Sequence, residues 1–173
     1  MTLFLDRDGV INDEIKDGYV LNWDMFHFSD GVLEAMPLLT KAFDRIIIVT
    51  NQRCIGRGLL THSGLEGIHS KMMVEIQKAG GHIDKIFYCP EVNNDSPCRK
   101  PQTGMAYMAQ MEYPDISFTD AAIVGNSMSD MQFGRNLGMK TVFIASTHPE
   151  ITLPHPLIDE RFDTLLDYAR AIQ

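Results

Sequence analysis

The sequence predicts an α/β fold, a parallel sheet with helices on both faces. Three observations carry this. Short apolar runs alternate along the chain with segments of helical periodicity. The run Arg45-Ile46-Ile47-Ile48-Val49-Thr50-Asn51-Gln52 is an almost unbroken β-branched stretch, as expected of a strand buried on both faces. Polar clusters follow the apolar runs: Asp6/Asp8, Thr50/Asn51, Arg99/Lys100 just past the third run, and Asn126/Asp130. Ligands of such sheets bind at the carboxyl ends of the strands, so the four clusters fall on one edge.

Length and charge bound the answer further. The chain has 173 residues and no repeat, low-complexity tract or linker, so one domain is expected over 1–173. A net charge of −8 argues against nucleic acid or an anionic membrane as the partner. Yet Arg7, Arg53, Arg57, Arg99 and Lys100 fall in the loops predicted around Asp6. Cations gathered on an acidic protein point to a small anionic ligand. Met1 leads directly into the first strand, with no basic segment followed by an apolar one and no run long enough to span a bilayer. Three cysteines, an odd number, do not make a disulfide framework. Reduced thiols and a cytoplasmic location are expected, for a monomer or weak homo-oligomer.

The first strand is Leu3-Phe4-Leu5, closed by Asp6-Arg7-Asp8-Gly9. On a strand, residues i and i+2 point the same way, so Asp6 and Asp8 can face one site. Carboxylates that close repel unless a cation lies between them, and Mg²⁺, a hard oxygen-seeking ion, suits the place. A polar loop follows, about 12–30, with Tyr19, Trp23, Phe26 and Phe28; its aromatics favour an ordered flap. Residues 31–42 read as a helix from Val32, Leu33, Met36 and Leu39, with Pro37 as a possible kink. After the strand at 45–52 comes a glycine-containing loop, 53–60. Leu65, Ile68, Met72, Ile76 and Ala79 then trace one helical face, capped by Thr61 or by Ser63 with Glu66.

The third strand spans about 85–89, and its loop carries Cys98-Arg99-Lys100-Pro101. A methionine-rich helix at about 103–111 supplies core filler. The fourth strand, 121–125, ends in Asn126-Ser127-Met128-Ser129-Asp130, with a short helix from Ser127 to about Asn136. Thr141-Val142-Phe143-Ile144 is the fifth strand. An irregular proline-containing stretch follows, then a last helix from about Asp163. The whole is a three-layer, Rossmann-like arrangement.

The four clusters suit phosphoryl transfer. A carboxylate, Asp6, can act as nucleophile and form an aspartyl-phosphate. Mg²⁺ would remove the repulsion between Asp6 and the phosphate. Thr50 and Lys100 can hold the phosphoryl oxygens. Asp8 can protonate the leaving oxygen and then deprotonate water.

With these motifs in order, Asp6-x-Asp8-Gly9, Thr50 at a strand end, Lys100, and Gly125-Asn126-x-x-x-Asp130, the chain resembles the haloacid dehalogenase superfamily of aspartate-nucleophile phosphatases over its whole length. Phe4-Leu5-Asp6-Arg7-Asp8-Gly9-Val10-Ile11-Asn12, Gly18-Tyr19-Val20, Val49-Thr50-Asn51-Gln52, Tyr88-Cys89-Pro90 and Cys98-Arg99-Lys100-Pro101 make it similar to the heptose 1,7-bisphosphate phosphatases and histidinol-phosphate phosphatases. The resemblance implies a capless core. It makes Asp6 the nucleophile, Asp8 the acid/base, Thr50 and Lys100 phosphoryl ligands, and Asn51, Arg57 and Arg99 substrate contacts, with Tyr19 on a short closing loop. Asp6, the Asp8 backbone carbonyl and residue 126 would bind Mg²⁺. Asn126 stands where the family usually has Asp, so weaker metal binding is expected, with Asp130 restoring charge through a water or by orienting Lys100. The family's structural zinc loop is reduced here to Cys89 and Cys98, with Glu91 and Ser96 at the other two positions, so zinc is not expected. His62, His69, His82, His148 and His155 show no metal-ligand pattern and read as surface or satisfied core residues.

The expected activity is Mg²⁺-dependent hydrolysis of a small phosphorylated metabolite. The leading substrate is D-glycero-D-manno-heptose 1,7-bisphosphate, losing its 7-phosphate in carbohydrate metabolism. Histidinol phosphate or another sugar phosphate is the alternative, and a non-catalytic phosphosugar-binding protein the reading that Asn126 would favour.

Overall fold

In the computed structural model, which describes residues 1–173, strand β1 (Thr2–Leu5) lies inside a six-stranded parallel sheet. The others are β2 (Arg45–Asn51), β3 (Lys85–Cys89), β4 (Ala121–Gly125), β5 (Lys140–Ile144) and β6 (Glu160–Phe162), in the order β3-β2-β1-β4-β5-β6. The helices are α1 (Val32–Ala42), α2 (Arg53–Gly56), α3 (His62–Lys78), α4 (Gly104–Glu112), α5 (Met128–Leu137) and α6 (Leu165–Ala171). The chain builds outward from β1 to β3, then returns to the other side of β1 to start β4. That reversal opens a crevice at the carboxyl ends of β1 and β4, where ligands of such sheets bind. Leu5 pairs with Ile48 and with Val124, so Asp6, Thr50/Asn51 and Asn126 emerge on one edge.

Strand alternation sorts the core into two layers. Leu3, Leu5, Ile46, Ile48, Ala122 and Val124 pack with apolar residues of α1, α3 and α6. Phe4, Ile47, Val49 and Ile123 pack with those of α4 and α5. Each fully buried side chain of this size stabilises the fold by about 1.5–3 kcal/mol. The strands thus read as continuous apolar runs because both faces are covered.

Several local expectations change. Helix α1 carries Pro37 in its interior. Helix α3 starts at His62, so Thr61 is its cap, accepting from the Gly64 N–H at 3.0 Å, and Ser63 lies inside the helix. The predicted loop after β2 begins with the single turn α2. Strand β6 was not expected; its three half-buried residues carry no apolar pattern. In the long loop, a 3-10 turn at Trp23–Met25 lets Trp23 stack on Phe26 at 4.9 Å and Phe28 meet Phe26 edge-on. These three aromatics are packed against the core, and only Tyr19 stands at the rim as a flap residue.

The cysteines correct the expectation of three reduced thiols. The loop after β3 doubles back, bringing the Cα atoms of Cys89 and Cys98 to 5.4 Å, and the two form a disulfide. Cys54 is free and buried. Sequence spacing cannot report such a return of the chain. No helix is long and apolar enough to cross a membrane.

Candidate active site

A cavity of about 250 Å³ opens at the carboxyl edge of β1, lined by Asp6, Asp8, Asn51, Lys100 and Asn126 among others. Asp6 continues the sheet register, its N–H donating to the Val124 carbonyl at 2.9 Å. Beyond it the chain turns sharply, the Arg7 carbonyl accepting from the N–H groups of Val10, Ile11 and Asn12. Gly9 has φ +83°, and a Cβ there would lie 2.0 Å from Asn126 Nδ2. Only glycine allows this turn to pack on the end of β4.

Lys100 is almost fully buried between two carboxylates. Its Nζ donates to Asp6 Oδ1 at 2.9 Å and to Asp130 Oδ1 at 2.5 Å. Asp130 Oδ2 accepts from the Ser127 N–H and hydroxyl, closing the capping box of α5. Both Asp130 oxygens are therefore engaged, and of the two parts expected of Asp130, charge at the metal through a water or orientation of Lys100, its contacts support the second. Burial and the Asp130 charge push Asp6 up, against the opposing pull of Lys100. Burial would lower Lys100, but Asp130 and Asp6 outweigh it and hold its ammonium charged. Two carboxylates and one ammonium leave one buried negative charge uncompensated, a place that favours a cation.

Asp8 is held differently. Arg7 and Asn12 donate to Oδ1 at 2.8 and 3.0 Å, and Gln52 donates to Oδ2 at 2.9 Å. Burial works against ionisation, but Arg7, with these amides, brings Asp8 below the usual carboxylate range. Arg7 had been expected to face the ligand. It is instead turned inward, 1% exposed, where its Nη1 donates to His69 Nε2 at 3.1 Å. Sequence reasoning missed Asn12 and Gln52 as site residues and read His69 only as a surface or satisfied core residue. The even spacing of Thr50 and Gln52 on one strand face was the available signal for Gln52.

The remaining predicted residues divide. Thr50 is 1% exposed and its hydroxyl accepts from Gln52 Nε2 at 2.9 Å, so it lies behind the cavity wall. Asn51 lines the cavity, but both ends of its amide bond the backbone of Lys100, Oδ1 accepting from the N–H at 3.0 Å and Nδ2 donating to the carbonyl at 3.2 Å. Arg99 and Tyr19 line the cavity, and Arg57 donates to the Tyr19 hydroxyl at 2.7 Å from outside it. Arg53, not assigned from sequence beyond its charge, shares Asn94 Oδ1 with Arg99.

The donor set fits Mg²⁺. Asp6 Oδ2 and the Asp8 carbonyl accept no protein hydrogen bond. Asn126 Nδ2 donates to Glu14 Oε2 at 2.9 Å and to Thr147 Oγ1 at 2.8 Å. Glu14 can only accept when ionised, so the amide is oriented with Oδ1 away from it, without a protein donor. Three hard oxygens are thus open beside an uncompensated charge, as Mg²⁺ requires.

An aspartate with a paired lysine, a second carboxylate two residues on and a hard-cation donor set, all at the edge of a parallel sheet, fit an aspartate-nucleophile phosphohydrolase. A HAD-hydrolase-like family model matches residues 97–156. D-glycero-α-D-manno-heptose-1,7-bisphosphate 7-phosphatase of Mycobacterium bovis is 32% identical over 98% of this chain and 90% of that protein. The corresponding β-anomer enzyme of Neisseria meningitidis serogroup A is 33% identical over 98% of this chain and 93% of its own. A crystal structure of D,D-heptose 1,7-bisphosphate phosphatase from B. bronchiseptica, complexed with magnesium and phosphate, superposes with a TM-score of 0.88 at 30% identity, covering 99% of this chain and 97% of that one. The chain belongs to the haloacid dehalogenase-like phosphatases, Mg²⁺-dependent phosphoric monoester hydrolases.

Burial, reinforced by the Arg7 charge, lowers His69 from 6.5 to about 3. Between those values the unfolded chain binds a proton that the folded one does not. The stability from this group is complete above about pH 6.5 and is lost as pH falls toward 3. Lowering the pH from 7.5 to 5 should therefore cost the wild type about 2 kcal/mol more folding stability than it costs His69→Gln, at 1.36 kcal/mol per unit. Parallel stability–pH curves from denaturant titration would refute this.

Proposed function

We propose that the protein removes the 7-phosphate of D-glycero-D-manno-heptose 1,7-bisphosphate through an aspartyl-phosphate on Asp6. The observation that carries the chemistry is Asp6 itself, with one oxygen held by Lys100 and the other free of protein partners. The Asp6 carboxylate attacks phosphorus as the ester oxygen departs, and Lys100 steadies the phosphoryl oxygens. Asp6, the Asp8 carbonyl and Asn126 would hold Mg²⁺, which would supply charge neutralisation as the two anions approach. Asp8 gives a proton to the departing sugar oxygen and takes one from the water that hydrolyses the acyl phosphate. Thr50, from behind the wall, braces Gln52 and through it Asp8.

Substrate choice rests on the rim and on the relatives. Arg53, Arg57 and Arg99 stand together with neutral partners, Asn94 and Tyr19, and none is in an ion pair. Burial and the charges of Arg53 and Arg57 lower Arg99, and its buried Nη1 has no hydrogen-bond partner. Three guanidiniums suit the second phosphate of a bisphosphate and repel the cationic amine of histidinol phosphate. Similar relatives act on α and β anomers at nearly equal identity, so both anomers belong in the substrate panel. The two loops beside the site carry no inserted domain, leaving it open except for the Tyr19 segment.

Purified protein with Mg²⁺ should release one phosphate from the heptose bisphosphate and little from histidinol phosphate. Asp6→Asn should lower that rate by ~10³-fold or more. Equal turnover of the two esters would discard the substrate assignment, and an active Asp6→Asn the nucleophile.

Asn126→Asp adds the missing ligand charge. It should lower the Mg²⁺ concentration for half-maximal rate by about tenfold and tighten Mg²⁺ binding in calorimetry to match. An unchanged requirement would remove Asn126 from the metal site.

A further inference from the structure

We propose that His69 is a positioning residue for the reaction: through Arg7, it sets the angle at which Asp8 presents its carboxylate to the ester oxygen. The inference rests on the acid/base part assigned to Asp8 above.

The geometry begins with a buried charge. Arg7 sits between Asp6 and Asp8 in sequence but points to the opposite side, into the protein. A guanidinium out of water needs partners, and this one has few: Asp8 Oδ1 at 2.8 Å and His69 Nε2 at 3.1 Å. Its Nε is buried with no partner at all. The direction of the fork therefore depends on two contacts, and only the one to His69 comes from outside the first loop. Without it, Nη1 faces no acceptor and the long side chain is free to turn, taking its bond to Asp8 with it.

The chemistry of the second contact is specific. Arginine can only donate, so His69 must accept on Nε2 and is neutral, with its proton on Nδ1. A neutral acceptor holds the guanidinium without competing for its charge. A carboxylate here would draw Arg7 away from Asp8, and a cation would repel it. The ring is itself anchored. It lies midway along α3 between the core residues Ile68 and Met72, and its edge meets the Tyr88 ring of β3 at 6.2 Å. The Tyr88 hydroxyl bonds His62 Nδ1, from the first turn of α3, at 2.9 Å.

Asp8 is the receiving end. Arg7 and Asn12 hold Oδ1, Gln52 holds Oδ2, and 26% of the side chain remains open to the cavity. Asn12 belongs to the same loop as Asp8 and moves with it. Arg7–His69 and Gln52 tie the carboxylate to α3 and to the residue between β2 and α2, both outside that loop. A proton donor displaced by a fraction of an ångström loses much of its worth, since misplacement near 1 Å can cost about 10²-fold.

The test compares two esters. An alkyl phosphate, such as a sugar phosphate, needs a proton on its leaving oxygen; 4-nitrophenyl phosphate leaves as a stable anion and does not. The ratio kcat/KM reports steps up to phosphoryl transfer, so a displaced Asp8 should show only on the alkyl ester. His69→Leu should lose about tenfold or more on the sugar phosphate, part of the 10²–10⁴-fold that acid–base catalysis supplies, and less than about twofold on the aryl ester. The loss should fall on kcat with KM unchanged. His69→Gln, which offers a neutral carbonyl acceptor, should retain most of the sugar-phosphate rate. Added to Arg7→Met, His69→Leu should cost nothing further, because it acts through Arg7. If the leucine variant does not fold, His69→Asn, whose amide stops short of Arg7, takes its place with the same expectations. Equal losses on the two esters, or additive losses in the double variant, would overturn the inference while the phosphatase reading stands. A wild type that hydrolyses neither ester would overturn both.

Discussion

The contact on which the site depends is the Lys100 ammonium lodged between Asp6 and Asp130. It joins the end of β1, the loop after β3 and the first turn of α5, segments 94 and 30 residues apart in the chain. Breaking such a buried pair from one side costs about 3–5 kcal/mol, because the remaining charge is left without a partner. The surroundings serve this contact. Asn51 grips the Lys100 backbone from β2, and the Ser127 cap turns Asp130 toward it. Gly125 leaves room, since a Cβ there would lie 2.2 Å from the Cβ of Asp130. The direction of the Asp6 carboxylate is thereby tied to a helix cap on a distant part of the chain.

Two carboxylates two residues apart meet opposite fates because their cations are divided differently. Lys100 is shared between two acids, so Asp6 is pushed up by burial and by Asp130. Arg7 has only one carboxylate partner, Asp8, and its other neighbour His69 is neutral. At Asp6 the excess negative charge is what a divalent ion would neutralise, so the protein alone presents an incomplete electrostatic arrangement that metal binding completes.

At Asn126 the same edge carries a neutral amide at the place proposed for a metal ligand. Its Nδ2 is held by Glu14 and Thr147, which directs Oδ1 away from Glu14. Glu14 places a carboxylate against the nitrogen side of the amide. A neutral oxygen in a fixed direction still coordinates, with less attraction for the ion.

Sequence by itself determined the parallel sheet, the five longer strands, and the placing of Asp6, Asp8, Asn51, Lys100 and Asn126 on one edge. Periodicity and strand polarity are local properties, and a strand's end is fixed once its register is. Tertiary structure alone decided which way the side chains at that edge are employed. Arg7 looked like a ligand cation and became an internal support, because its neighbours on the strand already face the cavity. Asp130 had two parts open to it, charge through a water or support of Lys100, and the cap of α5 turns it to Lys100. Cys89 and Cys98 were brought together by the return of a loop, and His69 became a partner of Arg7 by the docking of α3. These outcomes depend on distances between segments remote in sequence, and no spacing along the chain encodes those distances.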